Sequence, residues 1–350
     1  MTSFFEVINV SATHIYHSAL ELSPLPSIVR TLYYHQHSNL SPRLVTGTPD
    51  PWDESIAIFS KDYSYGSHTW SQCGQFVAAQ KQSAVEVRDP LTLELLFTLK
   101  PTKPIHMLTG PLAYSPDGHS LACLSNTTII IWDIQTHEVV REIKSNSFGP
   151  GSLVWSSDGK TISTLLKDQE THIWAIHIYD VASGTPPTPG TLQPTDIFHL
   201  WAHNNSFRVA TMVWGCGDYT IDIFDLEVGS PPNKVESFYV QPQIEYPQAK
   251  SFSPATHHIS ISFYGRLFIL DVQDSKLLLE KGAFFESHQF SPDGSIFAAS
   301  LQMKDIHIWK YTSSCYIPFK RVSCRESHYF QFSPTFSLIM GNFGKLLQVW

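Results

Sequence analysis

From residue 55 onward, apolar and polar side chains alternate at period two in a series of short stretches. Val85-Glu-Val-Arg-Asp89, Ile176-His-Ile-Tyr-Asp180, Ile221-Asp-Ile-Phe-Asp225 and Ile306-His-Ile-Trp-Lys310 show it most clearly. Ile129-Ile-Ile-Trp-Asp133, Leu267-Phe-Ile-Leu-Asp271 and Leu346-Leu-Gln-Val-Trp350 occupy equivalent places. Alternating β-branched and aromatic residues mark a strand with one face buried. Upstream of each stretch stands an aromatic residue followed by a turn. These are Trp70-Ser-Gln-Cys-Gly74, Tyr114-Ser-Pro-Asp-Gly118, Trp155-Ser-Ser-Asp-Gly159, Trp201-Ala-His-Asn-Asn205, Phe252-Ser-Pro-Ala-Thr256, Phe290-Ser-Pro-Asp-Gly294 and Phe332-Ser-Pro-Thr-Phe336. The aromatic anchors recur at intervals of 38 to 51 residues.

Each unit therefore reads as strand, turn, strand, short loop, strand. In the turn, Pro presets φ, Asp bonds nearby backbone and Gly accepts positive φ. A further short strand follows, as in Glu94-Leu-Leu-Phe-Thr-Leu99 and Glu138-Val-Val-Arg-Glu-Ile143. Four strands in a unit of about 42 residues are one blade of a β-propeller, with the aromatic anchor filling the wedge between neighbouring sheets. The expected architecture is all-β, a seven-bladed propeller over 55–350. Its last unit has three strands. A strand near 55–59 is expected to pair with 345–350 and close the ring, because an open blade would leave an unpaired sheet edge.

The turn together with Trp132-Asp133 resembles the WD-repeat β-propeller family. The resemblance spans roughly residues 55–350 and lies in the array rather than in any one blade. Only one blade has the literal Trp-Asp pair, and the Gly-His pair usual at the start of such repeats is missing. The buried Asp-His-Ser/Thr-Trp network of regular blades is therefore not assigned to residues here.

Residues 1–54 read differently, as a short helical extension and connector. Ser3-Phe-Phe-Glu6 has capping-box spacing, Ile8, Ala12, Ile15 and Ala19 follow helical spacing, and Ser23-Pro24 opens a second helix through about Tyr34. Thr13-His-Ile-Tyr-His-Ser-Ala-Leu20 followed by Ser23-Pro24 resembles the junction of fungal NACHT-type STAND proteins, where a helical region meets a C-terminal propeller. That resemblance implies a sensor or autoinhibitory propeller.

Composition narrows the function. With 23 basic and 31 acidic residues the net charge is −8, which argues against a nucleic-acid binder. Lys100 and Lys103 are close together, but Lys144, Lys160 and Lys167 are spread over other units and form no stripe. No apolar run is long enough for a membrane helix, and the N-terminus lacks a secretory pattern. Cys73, Cys123, Cys216, Cys315 and Cys324 are sparse and scattered, which fits reduced thiols in the cytoplasm.

Candidate chemistry is thin. Gly159-Lys160-Thr161 echoes a phosphate loop, but position 154 is Val and the string falls in a blade turn. Phe148-Gly-Pro-Gly-Ser152 is a turn, not a nucleophile elbow. His35-Gln-His37 lacks a partner set for a metal, as do His172 and His177. His68, His199 and His288 each lie two residues before an anchor, so period two sets them on its face. Burial between blades, bonded to backbone or a hydroxyl, is the expectation; a ring of ligands around the channel is the sharper alternative. No catalytic, metal or cofactor residue is assigned.

The expected function is a non-catalytic scaffold, a monomeric propeller that binds other proteins through its loops. The candidate loops are 80–84, 165–173, 262–266, 301–305 and 341–344, with Lys167-Asp-Gln-Glu-Thr171 and the Pro-rich segment Gly184 to Pro194 standing out by length. The alternative is a propeller-fold hydrolase with carboxylates at the central channel.

Overall fold

The computed structural model describes residues 57–350 apart from short stretches, of which the longest are 185–195 and 241–248. The proposed helices at 3–34, the His35-Gln-His37 pair and most of the Gly184 to Pro194 segment lie outside the described residues, as do His172 and Cys324.

The architecture is all-β. Among the described residues, seven four-stranded sheets follow one another along the chain, every strand pair antiparallel. The second sheet sets the pattern: Leu112–Tyr114, Ser120–Ser125, Thr128–Asp133 and Val139–Lys144, each paired to the next. Two sheets depart from it. In the third, two short strands, Ser147–Phe148 and Leu153–Trp155, both pair with Thr161–Asp168. In the last, Ala57–Ser60 lies beside Leu346–Val349, with Ala57 opposite Val349 and Ser60 opposite Leu346.

The core is divided into clusters that each bridge two successive sheets. Val87 and Leu99 of the first sheet meet Leu121 and Trp132 of the second. Leu124 and Ile129 of the second meet Trp155 and Tyr179 of the third. The pattern continues through the fourth to seventh sheets. A final cluster joins Trp70, Val77 and Ala79 of the first sheet to Met340 and Val349 of the last. Burial of apolar surface between sheets, at roughly 25 cal/mol per Å², is thus what holds the array as a ring. Side-chain hydrogen bonds cross the same seams. The Trp155 Nε1–H donates to the Ala113 carbonyl at 3.0 Å, and the Trp132 Nε1–H to the Lys100 carbonyl at 2.9 Å.

Candidate functional site

In six of the seven sheets the turn after the anchor opens on a serine. The Ser115 hydroxyl donates to Asp117 Oδ1 at 2.6 Å and accepts the Ser120 N–H at 2.9 Å, while the Gly118 N–H closes onto the Ser115 carbonyl. Ser156 with Asp158, and Ser291 with Asp293, repeat this arrangement. The serine hydroxyls hold the Asp117 and Asp158 carboxyls below the usual carboxylate range. At Asp293 burial works the other way and the Ser291 and Ser295 bonds outweigh it. In the first sheet Cys73 occupies the aspartate position, its Sγ 3.4 Å from Ser71 Oγ. Gly159-Lys160-Thr161 is the same turn, with Gly159 at φ +69° and the Thr161 N–H on Ser156 Oγ. The fourth sheet differs: Asn204 and Asn205, both at positive φ, make a two-residue turn between His203 and Ser206.

The aspartates that end the third strands have a second structural duty. Asp89 Oδ1 accepts the N–H groups of Leu91 and Thr92, and Asp133 Oδ1 those of Gln135 and Thr136. Asp180 and Asp271 cap equivalent turns. These bonds hold the Asp89, Asp133 and Asp180 carboxyls below the usual carboxylate range, led by the Thr92, Thr136 and Ser183 N–H groups respectively. A buried carboxylate with cationic neighbours, Glu86, bonds Lys81 Nζ at 2.6 Å and Arg88, whose Nη1 reaches the Leu93 carbonyl at 2.6 Å. It is part of a structural ion cluster within one sheet.

Two adjoining cavities, of about 500 and 650 Å³, open where the first strands of all seven sheets converge. Both are lined by Thr69, Trp70, Gln72, Ala202 and Gln331, so they are two lobes of one funnel. The anchors form its frame, and Pro116, Pro254, Pro292 and Pro334 of the turns form its rim. Among the described lining residues there is no Asp, Glu, Lys or Arg. Volumes of this size are typical of ligand pockets.

This funnel lies at the end of the sheets where first and second strands join. The loops singled out from the sequence, 80–84, 165–173, 262–266, 301–305 and 341–344, join second to third strands. In an antiparallel meander successive connections alternate ends, so the described strand ends that flank those loops lie at the opposite end from the funnel. Of 165–173, residues 165–168 belong to strand Thr161–Asp168, and 169–173 lie outside the described residues.

The three in-register histidines are not brought together. His68 is buried at the seam with the last sheet; burial lowers its pKa to about 4, opposed by a backbone contact at Met340. His288 Nδ1 is 3.3 Å from Ser260 Oγ of the neighbouring sheet, and burial lowers its pKa to about 4 despite a backbone bond at Phe285. His199 is enclosed by protein and also lowered to about 4, yet keeps part of its ring on the funnel wall, beside Trp201. No cluster of three His, Cys, Asp or Glu suited to a metal occurs among the described residues.

The funnel was not legible as a site in the sequence. The signal was there in retrospect. Residues one position before the anchors, including Thr69, Ala113, Ser251, Gln289 and Gln331, take the inner face by period two.

No family model matches this sequence, and no curated protein matches it. Solved structures match by fold. A chain from the crystal structure of a mitotic checkpoint complex superposes with a TM-score of 0.61 at 16% identity, covering 88% of this chain and 98% of that one. The likeness shows the fold. With the repeated four-stranded antiparallel sheets, it supports a β-propeller fold.

Proposed function

We propose that this chain is a seven-bladed propeller that serves as a non-catalytic protein-interaction scaffold. The observation that carries the reading is the funnel. It is a pocket-sized opening framed by all seven sheets, with no Asp, Glu, Lys or Arg among its described lining residues. The carboxylates of the adjoining turns, Asp117, Asp158 and Asp293, are bonded by their own serines. Rigid repeat arrays commonly present such surfaces to partners, and the structural likeness is to a component of a protein complex. The division into an extension over 1–54 and a propeller over 55–350 belongs to the same proposal. It is supported by the pairing of Ala57–Ser60 with Leu346–Val349.

The test is quantitative affinity capture in cells with the wild-type chain and the rim variant Gln72→Lys. Proteins retained by the wild type and depleted by the variant are the expected result. A capture profile no different from that of an unrelated propeller overturns the scaffold reading. The STAND-type sensor role remains a narrower proposal resting on the sequence around Thr13-His-Ile-Tyr-His17. An endogenous polypeptide far larger than 39.5 kDa on a blot would support it, and a single band at that size would remove it.

A further inference from the structure

Away from the funnel, the outermost strand of the sixth sheet carries an exposed apolar run. Cys315–Ser323 is nine residues long, and Ile317, Pro318 and Phe319 at its middle are all exposed. Phe319 is 62% exposed, more than any other large apolar side chain among the described residues, and Ile317 is 44% exposed. Single apolar side chains on a surface need no explanation, but a contiguous run marks either an interaction site or an aggregation liability. This strand is guarded against the second outcome. Pro318 stands opposite Trp309 and Lys320 opposite Ile308, which leaves Phe319 as the extra residue of a bulge. A proline has no N–H to offer an incoming strand, and a bulge interrupts the ladder. The edge therefore displays side chains on a backbone unsuited to pairing.

The charge around the run is positive, against the net −8 of the whole chain. Cys315–Ser323 holds Lys320 and Arg321 and neither Asp nor Glu. Lys310 of the neighbouring strand Asp305–Thr312 stands opposite Ile317. Since Lys320 stands opposite Ile308, period two sets Lys310, Ile317 and Lys320 on one face. That is the face of Ile308, which packs in one cluster with Phe330 and Phe332 of the last sheet. Lys310 and Lys320 are both exposed. The only carboxylate of these two strands, Asp305, is buried and already bonded by Arg321.

We propose that this edge docks an acidic segment of a partner protein that carries a bulky apolar side chain. The apolar group seats on Ile317, Pro318 and Phe319, and flanking carboxylates meet Lys310 and Lys320. Apolar anchoring supplies affinity, and the charges supply orientation and selectivity. A second copy of this chain fits less well. A two-fold contact through the same patch sets Lys310 and Lys320 against their own counterparts. An anionic membrane also fits less well, because such surfaces are held by clusters of about 4–8 Lys and Arg. The proposal adds a surface to the scaffold reading and rests on it.

The experiment is selection from a phage-displayed random dodecapeptide library on the whole chain. Selected peptides are then resynthesised with blocked termini and titrated by fluorescence anisotropy. Expected are sequences with several Asp or Glu around a Trp, Phe or Leu. Affinity should fall at least about tenfold for Phe319→Ser and for Lys310→Glu, and it should weaken as salt is raised. Both positions are exposed, so thermal midpoints should stay close to wild type; if Phe319→Ser does not fold, Lys310→Glu decides. Gln72→Lys, at the funnel rim, should change nothing. Selected sequences without acidic residues, binding indifferent to both edge variants, or no selected peptide at all would each overturn the proposal. So would a dimer in sedimentation that Phe319→Ser dissociates, or binding to phosphatidylserine vesicles that Phe319→Ser abolishes. Peptides lost on Gln72→Lys alone would overturn it and leave the scaffold reading standing. Affinity capture decides that reading separately.

Discussion

At the scale of single residues, the buried histidines make stability depend on pH. His68, His199 and His288 have pKa values of about 4 in the fold against an ordinary 6.5, because burial disfavours the imidazolium. Between those values the unfolded chain binds protons that the folded chain does not, so stability rises with pH and is lost as pH falls from about 6.5 toward 4. Thermal midpoints measured across that window should fall progressively on acidification. His68→Phe, which removes one of the titrating groups, should flatten the fall; an unchanged slope would show that His68 is not neutral in the fold. The common register of these histidines could be read from the sequence. Their separate fates could not, because whether a ring meets a hydroxyl, a backbone group or a cavity depends on the neighbouring sheet.

At the scale of the element, the Ser-Pro-Asp-Gly turn combines backbone conformation with side-chain bonding. Gly118 and Gly294 lie at φ +74° and +71°, where a side chain is strained. A methyl added to Gly118 would meet nothing, whereas one on Gly294 would overlap the Thr256 and Ser253 side chains of the preceding sheet's turn. Gly118→Ala should therefore cost about 1 kcal/mol from conformation alone. Gly294→Ala should cost about 2 kcal/mol or more, since crowding adds to strain. Denaturant unfolding of the two variants checks both size and order; equal losses would show that the turns do not pack as described. The positive φ at both glycines follows from local sequence. The extra crowding at Gly294 comes from another sheet. Leu93 and His137 also take positive φ, 56° and 62°, in local turns closed by their N–H groups on the carbonyls of Asp89 and Asp133.

At the scale of the whole molecule, one short strand decides whether the last sheet has an exposed edge. Ala57–Ser60 pairs with Leu346–Val349 across nearly the full sequence. Beside this pair, Val349 and Met340 pack against Trp70 and Val77 of the first sheet. Removing 57–60 would strip the outer strand from that sheet and expose Leu346–Val349 as an unpaired edge. The thermal midpoint should fall by at least about 5 °C, and aggregation should increase. A midpoint that does not move would show that the seam closes without this strand. Strand positions, turn chemistry and the repeat were determined by the sequence itself, because period-two alternation and Gly, Pro, Asp and Ser preferences act within a few residues. Strands such as Ile129-Ile-Ile-Trp-Asp133 carry that information locally. The funnel and the lack of Asp, Glu, Lys and Arg on its described wall were decided only by tertiary structure. They arise where seven first strands, far apart in sequence, are drawn to one axis by apolar burial between sheets, a force that is non-directional and leaves no short-range mark on the chain.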